Sequence, residues 1–102
     1  MKKFKLKIKH DFAEALEKII DDYMTYNYAD FDDKLVIAGL VEIKDRLYKK
    51  LGNYQTEYQI SLTPVQAIAL RLFITDFSEI GVKSYMGNRL FQISNAIHQQ
   101  FQ

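Results

Sequence analysis

Residues 54–80 read YQTEYQISLTPVQAIALRLFITDFSEI, and the change of period at Thr63 decides the fold. Before it, Tyr54, Thr56, Tyr58, Ile60 and Leu62 alternate with Gln55, Glu57, Gln59 and Ser61, the two-residue repeat of an extended strand. After it, Thr63 and Gln66 have the spacing of a capping box, and Pro64 suits the first helical position. Val65, Ile68, Leu70, Leu72, Phe73, Ile74, Phe77 and Ile80 then spread around most of a helical circumference, leaving Arg71, Thr75, Ser78 and Glu79 on the remaining arc. This pattern predicts a helix from Pro64 to Ile80 that is buried on several sides and stands at the centre of the core.

The amino-terminal segment follows the same plan. Phe4, Leu6 and Ile8 alternate with Lys3, Lys5, Lys7 and Lys9, predicting a strand over the first nine residues. Asp11 and Glu14 predict a second capping box, and Phe12, Leu16, Ile19 and Tyr23, flanked by Ile20, form the apolar stripe of the helix behind it. A further helix is expected from near Asp32 to Leu51, closed by Lys49, Lys50 and Gly52. The last is expected from near Ser84 to the carboxy terminus.

The expected fold class is α+β and helix-rich: two strand–helix–helix units around a central helix, with a small two-stranded sheet. The 102 residues suit a single domain, with an internal pseudo-repeat of 1–52 and 53–102. At an offset of 52, Ile8, Asp11, Glu14, Ala15, Leu16 and Ile20 meet Ile60, Thr63, Gln66, Ala67, Ile68 and Leu72. At an offset of 50, Val36, Leu40, Ile43, Leu47 and Leu51 meet Met86, Leu90, Ile93, Ile97 and Phe101. Two strands alone are marginal in water and leave open edges, so extension of the sheet across a homodimer is one expectation.

Several chemistries are excluded by residue type or spacing. The chain has no cysteine, which removes thiol chemistry, disulfides and cysteine-based zinc sites. Its two histidines, His10 and His98, form no helical metal pair. Asp30, Asp32 and Asp33 begin like a calcium loop, but Lys34, Leu35 and Val41 stand where such a loop needs an acid or amide, a glycine and a glutamate. The Gly81-Val82-Lys83-Ser84 run lacks the glycines of a phosphate loop, and none of the four serines sits in a Gly-x-Ser-x-Gly turn. No catalytic constellation, cofactor or metal is expected, so the chain reads as a non-enzyme.

Two surfaces stand out as candidates for binding. Residues 1–52 hold 11 basic and 10 acidic side chains, whereas residues 53–102 hold three of each. On the last predicted helix Asn88, Gln92, Asn95, Gln99 and Gln102 make a neutral amide stripe opposite the apolar one, and charge-poor faces are characteristic of interface centres. Tyr85, Arg89 and Phe91 flank it as further contacts. The leading expectation is therefore a non-catalytic protein–protein interaction or oligomerisation module, paired with a copy of itself or with another protein.

The alternative is a nucleic-acid-binding protein that uses Lys3, Lys5, Lys7 and Lys9 on phosphates. The net charge of +1 favours no polyanion globally, and edge lysines also block unwanted strand pairing, so this partner is the less favoured one. Tyr23, Tyr26, Tyr28 and Phe31 read as the packing of a helix–helix corner rather than as a stacking platform. No signal peptide follows Met1 and no stretch has the length of a membrane span. These features predict a cytoplasmic location and no membrane partner. The size suits a small accessory or adaptor protein, such as those of bacterial mobile elements or phages.

Overall fold

The computed structural model describes residues 3–27, 34–78 and 85–101. The elements run β1 (Phe4–Lys9), α1 (His10–Asn27), α2 (Lys34–Leu51), β2 (Glu57–Leu62), α3 (Pro64–Ser78) and α4 (Tyr85–Gln100). The chain is a helix-rich α+β fold made of strand–helix–helix twice. Asp30, Asp32, Asp33, Tyr28, Phe31, Ile80, Gly81, Lys83, Ser84 and Gln102 lie outside the described residues, as do the side chains of Tyr26, Phe77, Tyr85 and Met86.

The two strands pair antiparallel, Phe4 opposite Leu62 through Lys9 opposite Glu57. Alternation sends Phe4, Leu6 and Ile8, with Tyr58, Ile60 and Leu62, to one face, where they are buried under the helices. The lysines take the other face. Helices α1, α2, α3 and α4 pack each on the next, so α3 lies between α2 and α4 and also touches β2. Leu16, Ile20, Leu40, Ile43, Leu47, Leu70 and Phe73 fill the space between helices and sheet. The Tyr23 ring meets Phe73 edge-on, with centroids 4.9 Å apart, linking α1 to α3 across that core.

The predicted capping box at β2–α3 is present. The Thr63 amide donates to Gln66 Oε1 at 3.1 Å, and the Gln66 amide donates to Thr63 Oγ1 at 3.2 Å. Buried Gln66 also donates from Nε2 to Glu42 Oε2 at 2.6 Å and accepts from Arg46 Nη1 at 3.3 Å, so one cap residue ties α3 to α2. The matching box at Asp11 does not form. The His10 amide donates to the Thr56 carbonyl at 3.2 Å, extending the ladder, and the helix begins at His10 itself. Asp11 is thereby inside the first turn rather than ahead of it, and Glu14 pairs with His10. Strand β2 is also shorter than its alternation predicts: it starts at Glu57, and the Tyr54 ring lies tilted against the His10 ring, centroids 4.6 Å apart.

Helix α3 is central but not enclosed. Val65, Ile68 and Leu72 are 66%, 46% and 48% exposed, which corrects the expectation of burial on several sides. With Val36 and Ala69 they line an apolar groove of about 310 Å³. At that junction Gly39 lets α2 approach α3 closely: a Cβ there would sit 2.6 Å from the Ala69 Cβ. Burial also corrects the offset of 52, which equates buried Leu16 and Ile20 with exposed Ile68 and Leu72. An offset of 54 matches Phe4, Leu6, Ile8, Ala13, Leu16 and Ile20 to Tyr58, Ile60, Leu62, Ala67, Leu70 and Ile74, all buried. It also makes Leu6 equivalent to Ile60, its partner in the strand register.

Candidate functional site

The open face of the sheet carries Lys3, Lys5, Lys7 and Lys9, all exposed. A strand advances about 3.4 Å per residue, so successive lysines stand about 7 Å apart along one line. Their neighbours across the ribbon are Ser61 opposite Lys5, Gln59 opposite Lys7 and Glu57 opposite Lys9. One carboxylate therefore shares the face with four ammonium groups. None of the four is in an ion pair among the described residues.

Three of the acids that offset these charges in the sequence are engaged elsewhere. Asp21 Oδ1 accepts from Lys44 Nζ at 2.7 Å, joining α1 to α2, and this hydrogen bond holds the Lys44 ammonium above its ordinary pKa. Glu42 binds Gln66, and Glu14 binds His10. Balance over the first half of the chain thus conceals a local excess of positive charge.

Each edge of the ribbon is capped along part of its length. In an antiparallel ladder the carbonyls of alternate residues point outward. The outward carbonyls of β1 are those of the lysines, since His10, two residues on from Ile8, is bonded inward to Thr56. Arg89 Nη2 of α4 donates to the Lys7 carbonyl at 2.8 Å, and Gln100 Nε2 donates to the Lys3 carbonyl at 3.0 Å. On the other side Arg46 Nη1 of α2 donates to the Ser61 carbonyl. A second strand adding at β1 would have to displace Arg89 and Gln100.

On α4 the expected amide stripe is exposed at Asn88, Gln92, Asn95 and Gln99, and Phe91 beside it is 61% exposed. Arg89 is half-buried and directed to β1, with Nη1 also 3.5 Å from Gln92 Oε1. The lysines and the amides therefore belong to neighbouring surfaces, joined at Arg89. Arg89, expected as an outward contact, turns to β1 instead, and neither Arg46 nor Gln100 carries a sequence signal for its role. Their acceptors are backbone carbonyls, which carry no residue signature.

His10 occupies the strand–helix junction. Its Nδ1 is 2.8 Å from the Tyr58 hydroxyl, its Nε2 pairs with Glu14, and the Tyr58 hydroxyl accepts the Gln55 amide at 3.1 Å. The neutral ring satisfies this chain with the proton on Nε2 and the buried phenol donating to Nδ1. Both nitrogens are engaged within the fold. His98 is exposed near the end of α4. Among the described residues no group of three or more histidine, cysteine or carboxylate side chains could hold a metal ion, and no helix is long and apolar enough to cross a membrane. No protein-family model, curated protein or solved structure matches the chain.

Proposed function

We propose that this protein is a non-catalytic binding module that takes nucleic acid on the open face of its two-stranded sheet. The carrying observation is the line of four unpaired lysines with a single carboxylate across the ribbon. The competing role for such lysines is to guard a strand edge. Here Arg89 and Gln100 already occupy two outward carbonyls of β1 and Arg46 one of β2, so the lysines are not the sole guard of the edges. A two-stranded ribbon is also narrow enough for the major groove of duplex DNA, with lysines reaching phosphates and Gln59 and Ser61 on the same face opposite Lys7 and Lys5. Engagement of both His10 nitrogens supports binding rather than catalysis.

The test is fluorescence anisotropy with a labelled duplex and a labelled single strand across a salt series. Neutralising about four phosphates predicts a roughly hundredfold weakening between 50 and 200 mM salt. Replacing Lys5 and Lys7 with glutamine should lower the salt slope by about two. Absence of binding at low salt, or affinity independent of salt, overturns the proposal.

A second reading rests on α4. The exposed Phe91 beside Asn88, Gln92, Asn95 and Gln99 favours a protein partner, a copy of this chain or another protein, on that charge-poor surface. Light scattering decides self-association. A mass of twice 12.0 kDa that falls to 12.0 kDa when Gln92 and Asn95 are changed to lysine supports it, and a monomer at all concentrations removes it.

A further inference from the structure

The start of α1, the end of α2 and the connection into β2 line an open cleft of about 720 Å³, separate from the lysine face. Its size is that of small-molecule sites, far larger than a bare ion requires. Tyr48 and Tyr54 stand on its walls, each 72% exposed, with no hydrogen bond to either hydroxyl among the described residues. These two rings are not consumed by packing. Tyr54 is nevertheless held in place, because its ring rests against His10 with centroids 4.6 Å apart at 53°. His10 is itself fixed on both sides by Tyr58 and Glu14. The Tyr54 wall is therefore anchored to the strand–helix junction.

The charge around the cleft selects the ligand. Glu14 and Glu17 contribute two carboxylates and Lys18 one ammonium. Glu14 uses Oε1 on His10, and Glu17 is half-buried on the same helical face. The carboxy-terminal end of α2, at Leu51 and Gly52, adds the partial negative charge of a helix terminus, with Lys49 and Lys50 in the same turn. Tyrosine faces attract cations, and Leu51 adds an apolar side chain to the lining. We infer that this cleft binds an organic ammonium, a protonated amine carried on a flat apolar stem, with the stem against Tyr48 and Tyr54 and the charge toward Glu17 and Glu14. The inference does not depend on the nucleic-acid reading.

Phenethylammonium is the probe, and phenylacetate, with the same ring and the opposite charge, is its control. Because the chain has no tryptophan, tyrosine emission reports binding directly, and backbone amide shifts locate it. The expected result is a saturable response to phenethylammonium centred on His10, Glu17, Tyr48 and Tyr54, with none to phenylacetate. Tyr48→Ala and Glu17→Gln should each raise Kd about two- to fivefold. Unchanged far-UV circular dichroism would show that the fold is kept, and Tyr54→Leu gives a second test of the aromatic wall. Equal response to both probes, a response that does not saturate, or a Kd unmoved by all three substitutions overturns the inference.

Discussion

Arg89 of α4 donates to the backbone carbonyl of Lys7 at 2.8 Å, while the Lys7 side chain stands on the exposed face of the ribbon. One residue thus has its backbone closed to a further strand and its charge open to a partner. Changing Arg89 and Gln100 together to leucine would leave the Lys3 and Lys7 carbonyls without donors. The expected loss is about 1–2 kcal/mol, since a hydrogen bond to a charged donor exceeds a neutral one but this edge is wet. The double variant should also show a higher mass than the parent by light scattering at equal concentration. An unchanged mass would mean that these side chains are not what keeps strands from adding.

Gln66 offers a test of the cap that joins sheet and helices. Thr63→Ala removes one half of the capping box and should cost about 1 kcal/mol in urea unfolding. Gln66→Leu should cost more, about 2–3 kcal/mol, because the Thr63 amide, Arg46 and Glu42 all lose a partner in a half-buried setting. Equal costs would show that the links to α2 contribute nothing beyond the cap.

Gly39→Ala sets two effects against each other. The substitution favours the helix by about 1 kcal/mol, yet the new Cβ would lie 2.6 Å from that of Ala69. Overpacking of this kind costs about 1–3 kcal/mol and should prevail, lowering the urea midpoint. Ala69→Gly in the same chain should restore most of the loss. Failure of that rescue would place the strain elsewhere.

The Lys44–Asp21 bond gives a pH dependence of fixed sign. Asp21 holds the Lys44 ammonium above its ordinary value of 10.5. Stability from this pair is complete below the unfolded lysine pKa and is lost as pH rises through the raised, folded one. The pair is at the surface, so its contribution is about 0.2–1 kcal/mol. Thermal unfolding should show Asp21→Asn less stable than the parent near neutral pH, and the difference should vanish in strong alkali. A difference that persists there would have a cause other than the ion pair.

What the sequence reveals here is what neighbours in the chain decide. The alternation of Phe4, Leu6 and Ile8 with lysines, and the Thr63–Gln66 cap, are local relations and were legible. Tyr54 lies outside β2 with its ring against His10, 44 positions away, a contact no local spacing announces. The edge closures join residues as far apart as Lys3 and Gln100 through backbone acceptors, so no spacing rule could announce them. The lysine line was visible from the start. Its lack of counter-charge was not, because that depends on where Glu14, Asp21 and Glu42 point.

Helix α3 supplies the sharpest contrast between composition and burial. Leu70, Leu72 and Phe73 look alike in sequence, yet Leu70 and Phe73 are wholly buried whereas Leu72 is 48% exposed. The helix has neighbours in α2, α4 and β2 and meets Tyr23 of α1 at Phe73, yet beyond α2 no described element covers the groove beside Val65 and Ile68. Leu70→Ala should therefore cost about 2–5 kcal/mol and Phe73→Ala about 3–5 kcal/mol, through lost burial and the cavity left behind. Ile68→Gln and Leu72→Gln should stay within about 0.5 kcal/mol, as expected of surface positions. Urea unfolding at two protein concentrations reads both pairs. A cost above about 2 kcal/mol for Leu72→Gln would contradict the open face, because a substitution is that expensive only where the side chain leaves an apolar contact.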